Sequence, residues 1–347
     1  SEPLSNVAIL LVWVGWWAGY TMSTYLLGNT WPWIDPWRTV AGTLPSLNHE
    51  YPEYLGRWPA VIGLLFLVFL EVVTPTADRP AFLSTMVLVY TAITLVGAGI
   101  VGPTDWFRYV DPIAGVFRAY GRLAPIQWRS GRPTLVPPTA KLDDATHYVG
   151  LDDVSFVIAL LWVTTFDGLV STPSGAQPVR LAVGLGVPPL VAYGFVLVGG
   201  FLLFLALYWG TARAIRRSAN TFVSVSGIAG RFVSTLLPIA AAYHFAHFFG
   251  YFLEFLPALG TALVHPMEPV ASVPTIVLPD WFGGVQLTVI VVGHIVAVWA
   301  AHGTAFDLFT GRIQPLRSQY PLAALMIAYT MTSLWIVSQP VRQPPFV

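Results

Sequence analysis

The chain has 347 residues, 55% of them hydrophobic and 10% charged, and its 17 basic and 17 acidic residues balance to zero. A soluble domain carries about 25% charged residues, so this is the composition of a polytopic membrane protein, and the neutral balance gives no case for nucleic acid as a partner. Cysteine is absent, which excludes thiolate metal sites, iron–sulfur clusters, c-type haem attachment and disulfides, leaving His, Asp, Glu, Tyr and Met as ligands.

Taking ~20 apolar residues per crossing, the sequence predicts an all-α transmembrane helix bundle with interfacial amphipathic segments, forming one domain over 1–347. Eight spans are expected near 6–27, 57–75, 82–102, 153–172, 188–210, 228–256, 283–308 and 320–339. The start, Ser1-Glu2-Pro3, has no Met and no basic stretch, as expected where a leader is removed or an earlier helix is missing. The segment Trp31–Trp37 is aromatic and broken by Pro32 and Pro36, which suits a piece lying in the interface. Residues 104–125 set Trp106, Phe107, Val110, Ile113 and Phe117 against Arg108, Arg118 and Arg122. That pattern suits either an amphipathic helix on the inner leaflet or a solvated surface helix. Residues 126–146 read as an ordered cytoplasmic loop, and 257–280 as an outer loop capping the sixth and seventh spans.

Only Arg79, Arg180 and Arg342 fall on the side opposite the other fourteen basic residues. By the positive-inside rule the chain is expected in the cell membrane, multi-pass, with both termini outside.

The polar groups inside the spans carry the functional argument, because ionisable side chains at bilayer depth are costly. His244 and His247 lie three residues apart on the sixth span, and His294 and His302 on the seventh. If the sixth span ends at Pro257, His247 lies ~15 Å and His244 ~20 Å below that end; His294 lies ~18 Å below Phe282. Three imidazoles at one height, with Asp167 of the fourth span as a further ligand or base, would hold one Zn, Cu or Fe ion. Axial ligation by His247 and His294 would instead hold one haem b, as in a membrane subunit of an electron-transfer assembly with partner subunits. A proton or cation transporter is a third reading, and each histidine could also simply hydrogen-bond across helices. Asp167 is expected roughly 10 Å shallower than the histidines. Glu71 and Glu254 read as interfacial and solvated, His302 as a partner of Asp307 or the basic loop, and His49, His147 and His265 as loop residues.

Several blocks, WPWIDPWR (31–38), YPEYLGRWPA (51–60), YGRLAPI (120–126), FDGL (166–169), YHFAH (243–247) and the GH…AH pair of the seventh span, together resemble a family of bacterial and archaeal multi-pass proteins labelled fenitrothion hydrolase. The resemblance implies hydrolysis of an organophosphate ester. Such chemistry needs a metal-bound hydroxide or a general base, since there is no Cys nucleophile. His244, His247, His294 and Asp167 are the residues placed to supply it. GxSxG, P-loop and HExxH motifs are absent.

Overall fold

The computed structural model describes residues 3–129, 131–137, 142, 150–266, 273–340 and 343–346. Lys141, His147 and Arg342 lie outside the described residues. Helices dominate: α1 (Val7–Leu26), α2 (Pro36–Thr43), α3 (Trp58–Val73), α4 (Pro80–Val101), α5 (Pro112–Tyr120), α6 (Leu151–Val170), α7 (Gln177–Gly184), α8 (Pro189–Ala219), α9 (Val225–Val264), α10 (Phe282–Leu308) and α11 (Gln314–Ser338). Seven of these are long and apolar enough to cross a bilayer, so the protein is a multi-pass membrane helix bundle. The eighth expected span, α3, has 16 residues. At ~1.5 Å per residue it reaches ~24 Å, short of the ~30 Å hydrocarbon thickness.

The helices divide into an inner pair and an outer set. Within their most apolar windows α6 and α9 are each 78% buried, whereas α1, α4, α8, α10 and α11 range from 17% to 39%. Lipid therefore adjoins the outer set, and α6 and α9 meet mainly protein. Small residues let the inner helices approach closely. At the α9–α10 contact, Gly293 lies so near Ala242 and the Pro238 carbonyl that a Cβ on it would clash. Between α6 and α8, the Trp162 indole N–H donates to the Leu197 carbonyl at 2.8 Å.

Four features of the connecting segments and helices add to the expected pattern or correct it. α5 is neither a leaflet-surface helix nor a solvated one. Val116, Phe117 and Tyr120 are buried in the bundle, and the Arg118 guanidinium donates to the Phe107 and Arg108 carbonyls instead of facing lipid phosphates. Local bonding of this kind supplies acceptors that the alternating pattern had assigned to the membrane surface. Residues Ile126–Arg129 and Arg132–Leu135 form a two-stranded antiparallel hairpin (β1, β2) with Gln127 opposite Thr134. Next, α9 runs through Pro257 to Val264, seven residues past its expected end. A proline costs one backbone bond but does not end a helix supported by neighbours in a membrane. Finally, α1 takes π-helical hydrogen bonding over Leu10–Tyr20, a geometry that tends to mark functional regions. The Trp31–Trp37 segment behaves partly as expected: Trp33 and Ile34 are exposed, while Trp31 is buried against Trp16 and Phe117.

Candidate functional site

The inner pair of helices supplies the polar centre. On α6, Val163, Thr164 and Asp167 share a face by three- and four-residue spacing, and on α9 so do Tyr243, His244, His247 and Phe248. α3 adds Val68 and Glu71, three apart, and α1 adds Trp17. Together these ten residues enclose a cavity of about 20 Å³, enough for one water-sized group.

Asp167 and His247 lie in contact. Oδ2 lies 3.3 Å from Nε2, and the two side chains keep 29% and 30% of their surface exposed, so they are paired yet reachable. The expected 10 Å separation in depth is corrected: the carboxylate and the imidazole stand at one height. Glu71 lies within electrostatic reach of Asp167, lining the cavity wall instead of sitting solvated at the interface. Tyr243 stacks near-parallel to the His247 ring, at 9° with centroids 6.2 Å apart. Its hydroxyl is buried without a hydrogen-bond partner. Gly168 makes this placement possible, since a Cβ there would lie 2.0 Å from the Tyr243 Oη.

His244 and His294 serve differently. His244 Nδ1 pairs with the Tyr25 hydroxyl at 3.1 Å, and its ring is boxed by Trp17, Tyr120 and Phe248. His294 Nδ1 donates to the Ile290 carbonyl of its own helix at 2.7 Å. The register of α9 against α10 explains why His294 does not join His247. Gln286 donates to the Ala246 carbonyl and Gly293 abuts Ala242, so His294 lies roughly 10 Å deeper than His247. Among the described residues, no three His, Asp or Glu side chains stand close enough to hold a metal ion. The convergence of His244, His247, His294 and Asp167 on one ion is therefore not found, and the same stagger keeps His247 and His294 from opposite faces of one haem. His302 bonds Gln319 at 2.9 Å and not Asp307.

A second, larger cavity adjoins the first. It measures about 370 Å³ and shares Trp17, Val68 and Glu71 with the polar one. Its walls are Trp13 and Trp16 of α1, Leu64 of α3, Val87 of α4, Ile113 of α5 and the interfacial Trp31 and Trp37. Among the described residues, no Lys or Arg lines either cavity.

Glu71 and Tyr25 are the participants that sequence reasoning missed. Glu71 had a signal, being the single charged residue within α3, but its nearness to the helix end suggested solvent. Tyr25 had none, because its partner His244 is 219 positions away. No protein-family model matches this chain, and neither a curated protein nor a solved structure shows significant similarity to it.

Proposed function

We propose that this chain is an integral membrane enzyme of the general acid–base class, moving a proton at the Asp167–His247 pair to hydrolyse an uncharged ester. The observation that carries this reading is the pair itself: a carboxylate and an imidazole 3.3 Å apart on the two most enclosed helices, facing a water-sized space. Asp167 holds the imidazole by Nε2 and stabilises its charged form, so Nδ1 is the nitrogen that takes the proton from water. The unpartnered Tyr243 hydroxyl is placed to donate to the oxygen on which negative charge develops. Resemblance to the fenitrothion hydrolase family favours the same reaction class. The loops after α4 and α8, which hold most of the basic residues, then lie on the cytoplasmic side of the cell membrane.

The test is nitrophenol release from a neutral aryl phosphate triester and from nitrophenyl acetate, with protein in nanodiscs. Asp167→Asn and His247→Gln should each lower kcat at least 100-fold while the melting temperature stays close to that of the parent protein. Parent protein without turnover of either ester, or variants with undiminished rates, would refute the assignment. The Glu71, Asp167 and His247 sequence also favours a second reading, a proton relay across the bilayer. Proton flux in liposomes that is abolished by Asp167→Asn, with no ester turnover, would establish that instead.

A further inference from the structure

The larger cavity says what kind of molecule reaches the pair, and this inference rests on the acid–base reading for where the polar end sits. Its 370 Å³ would hold about a dozen water-sized groups at ~30 Å³ each, the bulk of one alkyl or prenyl chain of about ten carbons with a small head. α4 forms one wall and is the least buried of the long apolar helices, at 17%, so its outer face adjoins lipid. The walls are almost wholly apolar, and among the described residues Glu71 is the one carboxyl group lining them.

The charge of the lining restricts the head. Glu71 lines the larger cavity and Asp167 the smaller one beside it, and among the described residues no Lys or Arg lines either. A phosphate or carboxylate head would meet like charge and no counter-ion. An ammonium head would have to shed its water into apolar walls that offer it one carboxylate.

We propose that this cavity binds one uncharged single-chain amphiphile, a long-chain ester or alcohol, with its oxygen end at Glu71 and its chain between Trp13, Trp16, Leu64 and Val87. The probe is dodecyl acetate brominated at the chain end, titrated into the protein in nanodiscs while indole fluorescence is followed. Saturable quenching is expected, reversed by unbrominated dodecyl acetate and at least tenfold less well by dodecyl phosphate or dodecylamine. Val87→Trp, on the lipid-facing helix, should weaken binding at least tenfold without loss of fold, and Leu64→Trp should do the same from the inner wall. Glu71→Gln should bring dodecyl phosphate within about threefold of the ester.

Non-saturable quenching, equal competition by the phosphate, or preference for the amine would overturn the assignment. Nitrophenyl acetate, which is too short to need the cavity, separates the two readings. Its turnover without dodecyl acetate binding sinks the ligand class alone. Binding without any turnover sinks the acid–base reading and leaves the ligand class standing.

Discussion

Gly168→Ala is the sharpest test of the way α6 and α9 fit together. An added Cβ would lie 2.0 Å from the Tyr243 Oη, 2.9 Å from the Ile336 Cγ2 and 3.3 Å from the Tyr243 Cζ. The first distance falls about 1.5 Å short of a comfortable carbon–oxygen contact. Tyr243 is 3% exposed and stacked along His247, so it has little room to retreat. Overpacking of this kind costs about 1–3 kcal/mol. The hydroxyl accounts for the worst contact and Ile336 for the next, so the loss should shrink to about 1 kcal/mol, and not to zero, when Gly168→Ala is introduced into Tyr243→Phe. Reversible unfolding in mixed micelles of the parent, the two single variants and the double variant measures that coupling. Strictly additive losses, or a neutral Gly168→Ala, would show that the α6–α9 packing described above is wrong.

Three other outcomes are expected. The Asp111 carboxyl, outside the spanning segments, is buried and pushed up to about 6, although the Tyr90 hydroxyl and the Ala114 N–H both donate to it. The gap from its ordinary 3.8 is worth about 3 kcal/mol. Because the folded value is raised, this stability is fully present below 3.8 and is lost as pH rises through about 6. Melting temperature should fall between pH 4 and 7, and Asp111→Asn should flatten that slope; an unchanged slope in the variant would remove Asp111 as its cause. Tyr25→Phe leaves the His244 Nδ1 buried and unbonded, so chemical denaturation should show a loss of about 1–3 kcal/mol, with nitrophenyl acetate turnover within threefold of the parent. His302→Gln, changing an exposed partner of Gln319, should shift stability by less than about 0.5 kcal/mol, and a larger loss would give that histidine a role the structure does not show.

The sequence made the spans legible because crossing a bilayer demands length and apolarity together, and a run such as Pro189–Tyr208 has no soluble alternative. α3 matched in position but not in reach, since hydropathy reports that a segment is apolar and not how far it extends. The error over α5 has a different origin. Alternating arginines suggested a lipid surface, yet the Arg118 guanidinium found backbone carbonyls ten and eleven positions earlier, a choice that depends on three-dimensional neighbours. Site depth failed for a third reason. Heights on α9 and α10 were counted from Pro257 and Phe282 as if those ends were level, yet Phe282 packs beside Phe249 and Gly250. Seven residues from Gly250 to Pro257 are ~10 Å in height, which is the amount by which His294 misses His247.

Placement of a carboxylate beside an imidazole in a membrane protein also constrains which histidine can act. Facing lipid, such a pair would lose its hydration without replacement. On α6 and α9 it is surrounded by other helices instead, and the cost is met by partners and by the cavity. The three buried-level histidines then separate by what their ring nitrogens touch. His294 is committed to the Ile290 carbonyl and His244 to the Tyr25 hydroxyl; each bond fixes a ring that packs helices together. His247 alone of the three has a carboxylate at one nitrogen, and both partners keep nearly a third of their surface accessible. A pair that exchanges a proton with a bound molecule requires such access, and the cavity that Asp167 and His247 line shares Trp17, Val68 and Glu71 with the space sized for an aliphatic chain.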